Sequence, residues 1–266
     1  MLIERALRLV WFLKPLRYWC EGKLYRRRSN DAWLEEWKDR FRGQPMLIIG
    51  NGPSLNKTPL EEFSHIPSIG LNKIDLLYPR TSWRPNFVLC INDVVARQHW
   101  SEWLKQDIPV FLSWKSRWML PRRHRRSFHY FLGTDAAFRT DLRSGVGSQG
   151  TVTYTAMQFA YYCGANPVIL FGVDHSFVKP AKDVTYEVRR GPDVDHFDPN
   201  YFPEGKLWGL FNPEHSEDAY RRAKVAFEAD GRVIYDATIG GKLEIFPKIS
   251  LDQARELIRR ASASPG

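Results

Sequence analysis

The sequence is poor in cysteine and lacks long apolar runs. Its three cysteines, Cys20, Cys90 and Cys163, lie far apart, and none belongs to a CxxC pair. This spacing argues against a disulfide framework and a cysteine-based zinc site, and it predicts a reducing, cytoplasmic compartment. No apolar run approaches the ~20 residues that a membrane-spanning helix needs. We therefore expect a soluble or peripheral protein whose core forms without disulfides.

Acidic residues are outnumbered by basic ones, 30 Asp and Glu against 39 Lys and Arg, which gives a net charge of +9. Basic clusters attract the phosphates of nucleotides, nucleic acids and lipid headgroups alike. Because no helix-turn-helix, RNA-recognition or zinc module is visible, a nucleic-acid-binding role ranks last among the hypotheses. One cluster comprises Lys115, Arg117, Arg122, Arg123, Arg125 and Arg126.

A second basic cluster lies in residues 1–28, which hold eight basic residues and two acidic ones. Residues 1–42 are predicted to form a basic, aromatic helical appendage that Pro15 interrupts. Aromatic residues such as Trp11 and Trp19 lie among the charges. This composition is typical of a helix on an anionic membrane surface, here the inner face of the membrane. Equally open is a helix that packs on its own domain or on a second subunit of a homo-oligomer.

Strands and helices alternate along residues 43–250. This order predicts a Rossmann-like α/β domain with a mainly parallel sheet flanked by helices. Residues 178–212 are irregular and predict a lid or binding loop, and 251–266 form a C-terminal helix and tail. The predicted strands are 46–49, 67–71, 86–91, 109–112, 167–171 and 233–236, and the predicted helices include 152–162 and 216–229.

Polar residues follow several of the predicted strands. In open α/β sheets, ligands bind at the carboxyl ends of the strands, so these residues should line one crevice. Asparagine is also a common turn residue, but four polar strand ends favour a shared site over coincidence. The strand-end residues are Gly50, Asn51, Gly52, Asn72, Asn92, Asp93, Asp174 and His175.

Two glycine-containing segments could contact a phosphate. Residues 50–54 match neither GxGxxG nor GxxxxGK[ST], but Ser54 is expected to cap a following turn whose free amides face a phosphate. The alternative is a simple Gly-Pro turn after a strand. Residues 145–151 precede an apolar helix, so they form either an anion cradle or a flexible loop that merely caps this helix.

The order of these motifs resembles a known group. The segments IIGNGPSLN, GLNKI, IND, GSQGTVTYTAMQFAYYCG and VILFGVDHSF are similar to the 6-hydroxymethylpterin diphosphokinase MptE-like family. The same order resembles the bacterial family 42 sialyltransferases, which use CMP-activated sugars. The resemblance covers roughly residues 45–246.

The sialyltransferase resemblance implies roles for individual residues. A histidine acts as general base, for which His215 is favoured and His196 is the rival. Tyr186 and Tyr201 are candidates for the lid tyrosines that hold the phosphate. The residues implied to bind the nucleotide are Asn51, Gly52, Ser54, Asn72, Asn92, Ser148, Gly150 and Thr151.

Two enzyme hypotheses follow. The first is a glycosyltransferase that moves a CMP-type nucleotide sugar to a membrane-associated glycan or lipid-linked acceptor. The second is an MptE-like diphosphokinase that transfers pyrophosphate from ATP to a pterin alcohol. The second needs Mg²⁺ between the phosphates, for which Asp93 and Asp174 would be the ligands. We favour the glycosyltransferase, and a basic nucleic-acid-binding protein is the third hypothesis.

Overall fold

The computed structural model describes residues 31–148, 150–178, 186–210 and 212–263, together with Cys20, Lys23 and Tyr25. Most of the predicted N-terminal appendage, including the interruption at Pro15, lies outside these residues. In the part of the chain that the structure describes, no helix combines the length and apolar character needed to cross a bilayer.

A seven-stranded parallel sheet forms the centre of the molecule and confirms the predicted Rossmann-like α/β fold. Its strands are β1 Met46–Ile49, β2 Ser68–Leu71, β3 Phe87–Cys90, β4 Val110–Ser113, β5 His129–Phe131, β6 Val168–Phe171 and β9 Ile234–Asp236, with β7 Tyr186–Val188 and β8 Leu207–Gly209 in a separate sheet. The strand order in the large sheet is β5-β4-β3-β2-β1-β6-β9. All residues of β1, β2, β3 and β6 are buried, as expected for parallel strands covered on both faces.

Three of the helices begin at residues whose side chains satisfy free backbone amides. Asn92 accepts from the amides of Val94 and Val95 at 2.9 and 3.2 Å, and Asn212 accepts from that of His215 at 3.1 Å. Thr151 caps the third of these helices. The helices are α1 Asp31–Trp37, α2 Asp93–Trp103, α3 Val152–Tyr162, α4 Pro213–Ala229 and α5 Leu251–Ala263.

The sheet separates two apolar clusters, one on each face. In one of them, α3 packs its aromatic residue Phe159 against the sheet, where the ring lies 5.1 Å from Phe87 and 5.2 Å from Phe111. Trp33 of α1 stacks on the same group, 4.3 Å from Phe111. Helix α3 is buried on nearly all sides, and its sequence accordingly contains no charged residue.

Some elements of the structure differ from those predicted from the sequence. Residues 178–212 are not irregular throughout, because β7 and β8 pair there as an antiparallel hairpin. Helix α4 begins at Pro213, three residues before the predicted start, since a proline fits the first turn of a helix. Strand β5 and helix α2 were not predicted.

The segment that follows β1 lies in very close contact with the segment that follows β6. The Gly50 amide donates to the carbonyl of Phe171 at 2.8 Å, and the Gly52 amide donates to that of Gly172 at 2.8 Å. A Cβ at Gly50 would lie 2.2 Å from the Gly172 carbonyl oxygen, and backbone cannot move aside as a side chain can. Glycine is therefore required at this position by the packing of the two chains.

We expect Gly50→Ala to lower the free energy of unfolding by about 1–3 kcal/mol, because the added methyl group overpacks backbone against backbone. Urea unfolding would measure the change. Gly209→Ala is the matched control, since its Cβ would meet the Tyr186 ring at 3.3 Å and that half-exposed ring can move. Equal unfolding energies for the two variants would contradict this account of Gly50.

Candidate functional site

A cavity of about 410 Å³ opens at the carboxyl ends of β1, β2, β3 and β6. It is where a parallel α/β sheet binds its ligands. The structure brings nearly all of the predicted site residues to this cavity. Those that line it are Gly50, Asn51, Gly52, Asn72, Asn92, Asp93, Ser148, Gly150, Thr151, Asp174, His175, Tyr186, His196, Tyr201 and His215.

Ser54 is the predicted residue that does not line the cavity. It is buried, its amide donates to Asp174 Oδ1 at 3.0 Å, and its hydroxyl donates to Asp174 Oδ2 at 2.7 Å. The following turn, Pro53–Lys57, begins at Gly52 without a side-chain cap, so the expected capping role of Ser54 is wrong. The hydroxyl instead fixes the turn to the end of β6.

Two amide oxygens in the cavity wall have no hydrogen-bond partner among the described residues. They are Oδ1 of Asn51 and Oδ1 of Asn72, and both are buried. A buried acceptor without a partner destabilises the folded state, so both atoms are suited to accept from a ligand. Asn92 differs, because its Oδ1 already caps α2.

Tyr201 and Lys73 fix one wall of the cavity. The Lys73 amide donates to the Tyr201 hydroxyl at 3.2 Å, and Lys73 Nζ donates to the Tyr201 carbonyl at 2.7 Å. Burial lowers the pKa of Lys73 to about 8. Because the Tyr201 hydroxyl is buried and already bonded, it is a poor match for the predicted phosphate-holding tyrosine, whereas Tyr186 lies half-exposed at the cavity.

His196 is held by a buried carboxylate. Its Nδ1 lies 2.9 Å from Asp193 Oδ2, and its ring stacks on Tyr201 with a centroid distance of 4.0 Å. Burial raises the pKa of Asp193, but the hydrogen bond and charge of His196 and the charge of Arg189 outweigh it, so this pKa is lowered overall. The ionised Asp193 therefore favours the tautomer that carries a proton on Nδ1 and leaves Nε2 as an acceptor.

Arg189 contacts Asp193, the carboxylate that holds His196. Its guanidinium lies 3.5 Å from Asp193 and 3.6 Å from Asp195, and it stacks over the Trp208 ring at 4.6 Å. All of these side chains are buried. A single guanidinium thus lies against both carboxylates, and Asp195 also lines the cavity. The sequence already places Asp193 near His196, three residues away, but it gave no sign of Trp208, which contacts the pair through Arg189.

The other two histidines of the cavity have different surroundings. His215 lies in the first turn of α4, is exposed, and has its Cβ 3.7 Å from the position a Gly150 Cβ would take. In the part of the chain that the structure describes, its ring has no hydrogen-bond partner. His175 lies 3.0 Å from Glu217 Oε1, so its Nε2 is engaged.

The loop before α3 is fixed in shape by Gln158. The Gln158 side chain accepts from the Gly147 amide at 2.7 Å and donates to the Gly147 carbonyl at 3.0 Å. Gly150 adopts the left-handed conformation with φ of 65°, and Thr151 begins the helix. Gln149 lies outside the described residues. The described part of this loop leads to the N-terminus of α3 at the cavity, with Thr151 and Val152 in its wall, and the anion cradle stays a prediction.

The two acidic residues expected to bind Mg²⁺ are already engaged by hydroxyl groups. Asp93 Oδ1 accepts from Ser116 Oγ at 2.5 Å, and Asp174 accepts from Ser54 through both oxygens. Burial raises the pKa of Asp174, while the bonds from Ser54 lower it, and the net direction is upward. Across the described residues, no group of three or more His, Cys, Asp or Glu side chains is arranged to hold a metal ion. Asp174 therefore fits a structural acceptor better than a metal ligand.

Comparison with solved structures finds a similar fold in a glycosyltransferase. The chain is similar to the MAf glycosyltransferase from Magnetospirillum magneticum AMB-1, with a TM-score of 0.53 and 18% sequence identity. The match covers 84% of this chain but 37% of that one, so this chain spans well under half of its length. No model of a known protein family and no curated protein matches the sequence. The likeness supports the fold, and the resemblance to the MptE-like and sialyltransferase families stays a prediction.

We expect Asn51→Ala to weaken nucleotide binding by about 1–3 kcal/mol, because a ligand donor would lose its buried acceptor. Isothermal titration with CMP measures the change. Gln106→Ala is the control, since Oε1 of Gln106 is also buried without a partner but lies outside the cavity. If a folded Asn51→Ala variant keeps the affinity of the unmodified protein, Asn51 does not contact the nucleotide.

Proposed function

We propose that the protein is a glycosyltransferase that moves a sugar from a CMP-type nucleotide donor to a glycan or lipid-linked acceptor. The observation that carries this proposal is the pairing of two features in one cavity. One is a nucleotide-sized crevice with unpaired amide oxygens at the ends of parallel strands, and the other is a histidine oriented by a buried aspartate. The similarity in fold to a glycosyltransferase supports the same conclusion.

The nucleoside would occupy the part of the cavity formed by the ends of β1 and β2. There Asn51 and Asn72 offer acceptors for base or ribose donors, as the unpaired oxygens require. Gly52 lets the ligand approach the backbone closely. Asn92 contributes through its amide group, since its oxygen is occupied by the helix cap.

The donor phosphate would lie at the N-terminus of α3. Ser148, Gly150 and Thr151 supply hydroxyls and backbone amides there, and the helix dipole favours the negative charge that develops on the leaving phosphate. Tyr186 is the tyrosine best placed to add a hydroxyl donor from the hairpin.

We assign the role of general base to His196 rather than to His215. His196 Nε2 would take the proton of the acceptor hydroxyl, whose oxygen forms a bond to the anomeric carbon. The bond from that carbon to the phosphate oxygen breaks, and the phosphate leaves with the electron pair. Asp193 stabilises the imidazolium that results, and Arg189 holds Asp193 in place. His215 has no such support, and its position beside Gly150 suits a contact with phosphate instead.

A diphosphokinase remains the alternative, because Asp93 and Asp174 do line the cavity. Their engagement by Ser116 and Ser54 weakens that alternative, and we assign no step to Mg²⁺. Thermal-shift measurements with CMP, a CMP-sugar, ATP and GTP, each with and without Mg²⁺, separate the two. We expect CMP and the CMP-sugar to raise the melting temperature without Mg²⁺, since a ligand of the native state stabilises it by mass action. Stabilisation by ATP and Mg²⁺ alone would instead favour the diphosphokinase.

We expect His196→Ala to lower turnover by about 10²–10⁴-fold while nucleotide affinity is nearly unchanged, as for loss of a general base. Turnover of a CMP-sugar, hydrolytic or to an acceptor, provides the assay. Asp193→Asn should lower turnover and alter the pH profile, because it removes the charge that supports the imidazolium.

His215→Ala is the matched comparison within the same cavity. It should weaken nucleotide binding more than it slows turnover. Full activity in His196→Ala together with inactivity in His215→Ala would assign the general base to His215 instead. Full activity in both variants would show that neither histidine is the general base.

A further inference from the structure

The segment that follows β4 exposes large apolar side chains. Trp118 is 56% exposed and Met119 is 44% exposed, and they are neighbours at the end of the short helix Trp114–Trp118. Adjacent exposed side chains of this size indicate a surface that contacts another apolar phase. We call this surface the Trp118 patch, and it comprises residues 115–126.

Three arginines of the Trp118 patch have no carboxylate partner among the described residues. Arg122, Arg123 and Arg126 are exposed, and within the described residues none of them forms an ion pair. The sequence contains no Asp or Glu between Asp107 and Asp135. Elsewhere on the surface, the arginines Arg222, Arg255 and Arg259 each pair with an acidic residue on their own helix. The contrast indicates that the charge of the patch is directed to an external anion.

Aromatic stacking holds the Trp118 patch in a defined shape. The Arg117 guanidinium lies over the Trp114 ring at 3.8 Å and over the Trp118 ring at 4.5 Å. The Arg125 guanidinium lies 5.0 Å from the centre of the Trp118 ring, and the Arg125 carbonyl accepts from the Tyr130 hydroxyl at 2.8 Å. Trp118 is therefore presented to solvent by fixed neighbours, so little conformational entropy is lost when it makes contact.

The patch lies close to the cavity. It follows the carboxyl end of β4, at the same edge of the sheet as the cavity, and Ser116 donates to Asp93 in the cavity wall. A surface that binds the patch would therefore lie near the cavity.

We propose that the Trp118 patch docks the protein on an anionic lipid surface, with Trp118 and Met119 in the interfacial layer and the arginines on lipid phosphates. Tryptophan prefers the boundary between hydrocarbon and headgroups, and basic residues beside it are attracted to anionic lipids. A nucleic acid would satisfy the arginines but would leave Met119 without an apolar environment. The docking itself does not depend on the proposed transferase activity.

The test is co-sedimentation of the full chain with vesicles of equal parts phosphatidylcholine and phosphatidylglycerol, and with vesicles of phosphatidylcholine alone. We compare Arg122→Gln/Arg123→Gln/Arg126→Gln with the control Arg222→Gln/Arg255→Gln/Arg259→Gln, which removes the same charge elsewhere. Each basic residue near an anionic surface contributes roughly fivefold to partitioning, so the patch variant should bind roughly a hundredfold more weakly. The control should lose far less, and Trp118→Ala should bind more weakly than Trp118→Phe.

Equal losses in the two triple variants would overturn the proposal, as would unchanged binding in the patch variant. Competition by mixed-sequence duplex DNA that abolishes vesicle binding at low DNA concentration would also overturn it, in favour of a nucleic-acid surface. Thermal shifts with CMP in the same variants keep the two proposals apart. Vesicle binding without a thermal shift on addition of CMP would support the docking surface and contradict the proposed transferase. A thermal shift with CMP but no vesicle binding would support the transferase and contradict the docking surface.

Discussion

The contact between the chain leaving β1 and the chain leaving β6 determines the shape of the site. Asp174 accepts both the amide and the hydroxyl of Ser54, and the carbonyls of Phe171 and Gly172 accept from Gly50 and Gly52. These bonds join the neighbouring strands β1 and β6 at their carboxyl ends, where the cavity begins. Asn51 is thereby held between two fixed glycines, with its side-chain oxygen in the cavity wall. A bulkier residue at Gly50 would meet the Gly172 carbonyl, and one at Gly52 would meet the Asp174 side chain.

The central part of the fold could be predicted from the sequence because its strands are short apolar runs that end in polar turns. Met46–Ile49 and Val152–Tyr162 were predicted with their observed bounds. Strand β5 could not be predicted, because its three residues begin with His129 and follow a run of arginines. The hairpin of β7 and β8 was missed because each strand has three residues, too few for a pattern to stand out.

For the site, the sequence predicted which residues meet better than it predicted their hydrogen bonds and ion pairs. Strand ends of a parallel sheet must meet, so Asn51, Asn72 and Asn92 could be grouped without knowledge of any contact. Whether each amide is free or bonded depends on local geometry, and Asn92 proved to be a helix cap. The environment of His196 could be predicted only in part: Asp193 and Arg189 are close to it in sequence, but their burial arises only in the folded chain.

The wall formed by residues 193–202 is bound to the floor of the cavity before any ligand arrives. The Phe197 amide donates to the Asn51 carbonyl at 2.9 Å, the Asn56 side chain donates to the Phe197 carbonyl at 2.9 Å, and Lys73 holds Tyr201. A wall bonded in this way resists rearrangement, so a ligand that enters meets a rigid template and loses little freedom on the protein side. In the proposed transferase, discrimination between related ligands would then depend on steric fit against His196 and its stacked partner Tyr201, rather than on closure of this wall.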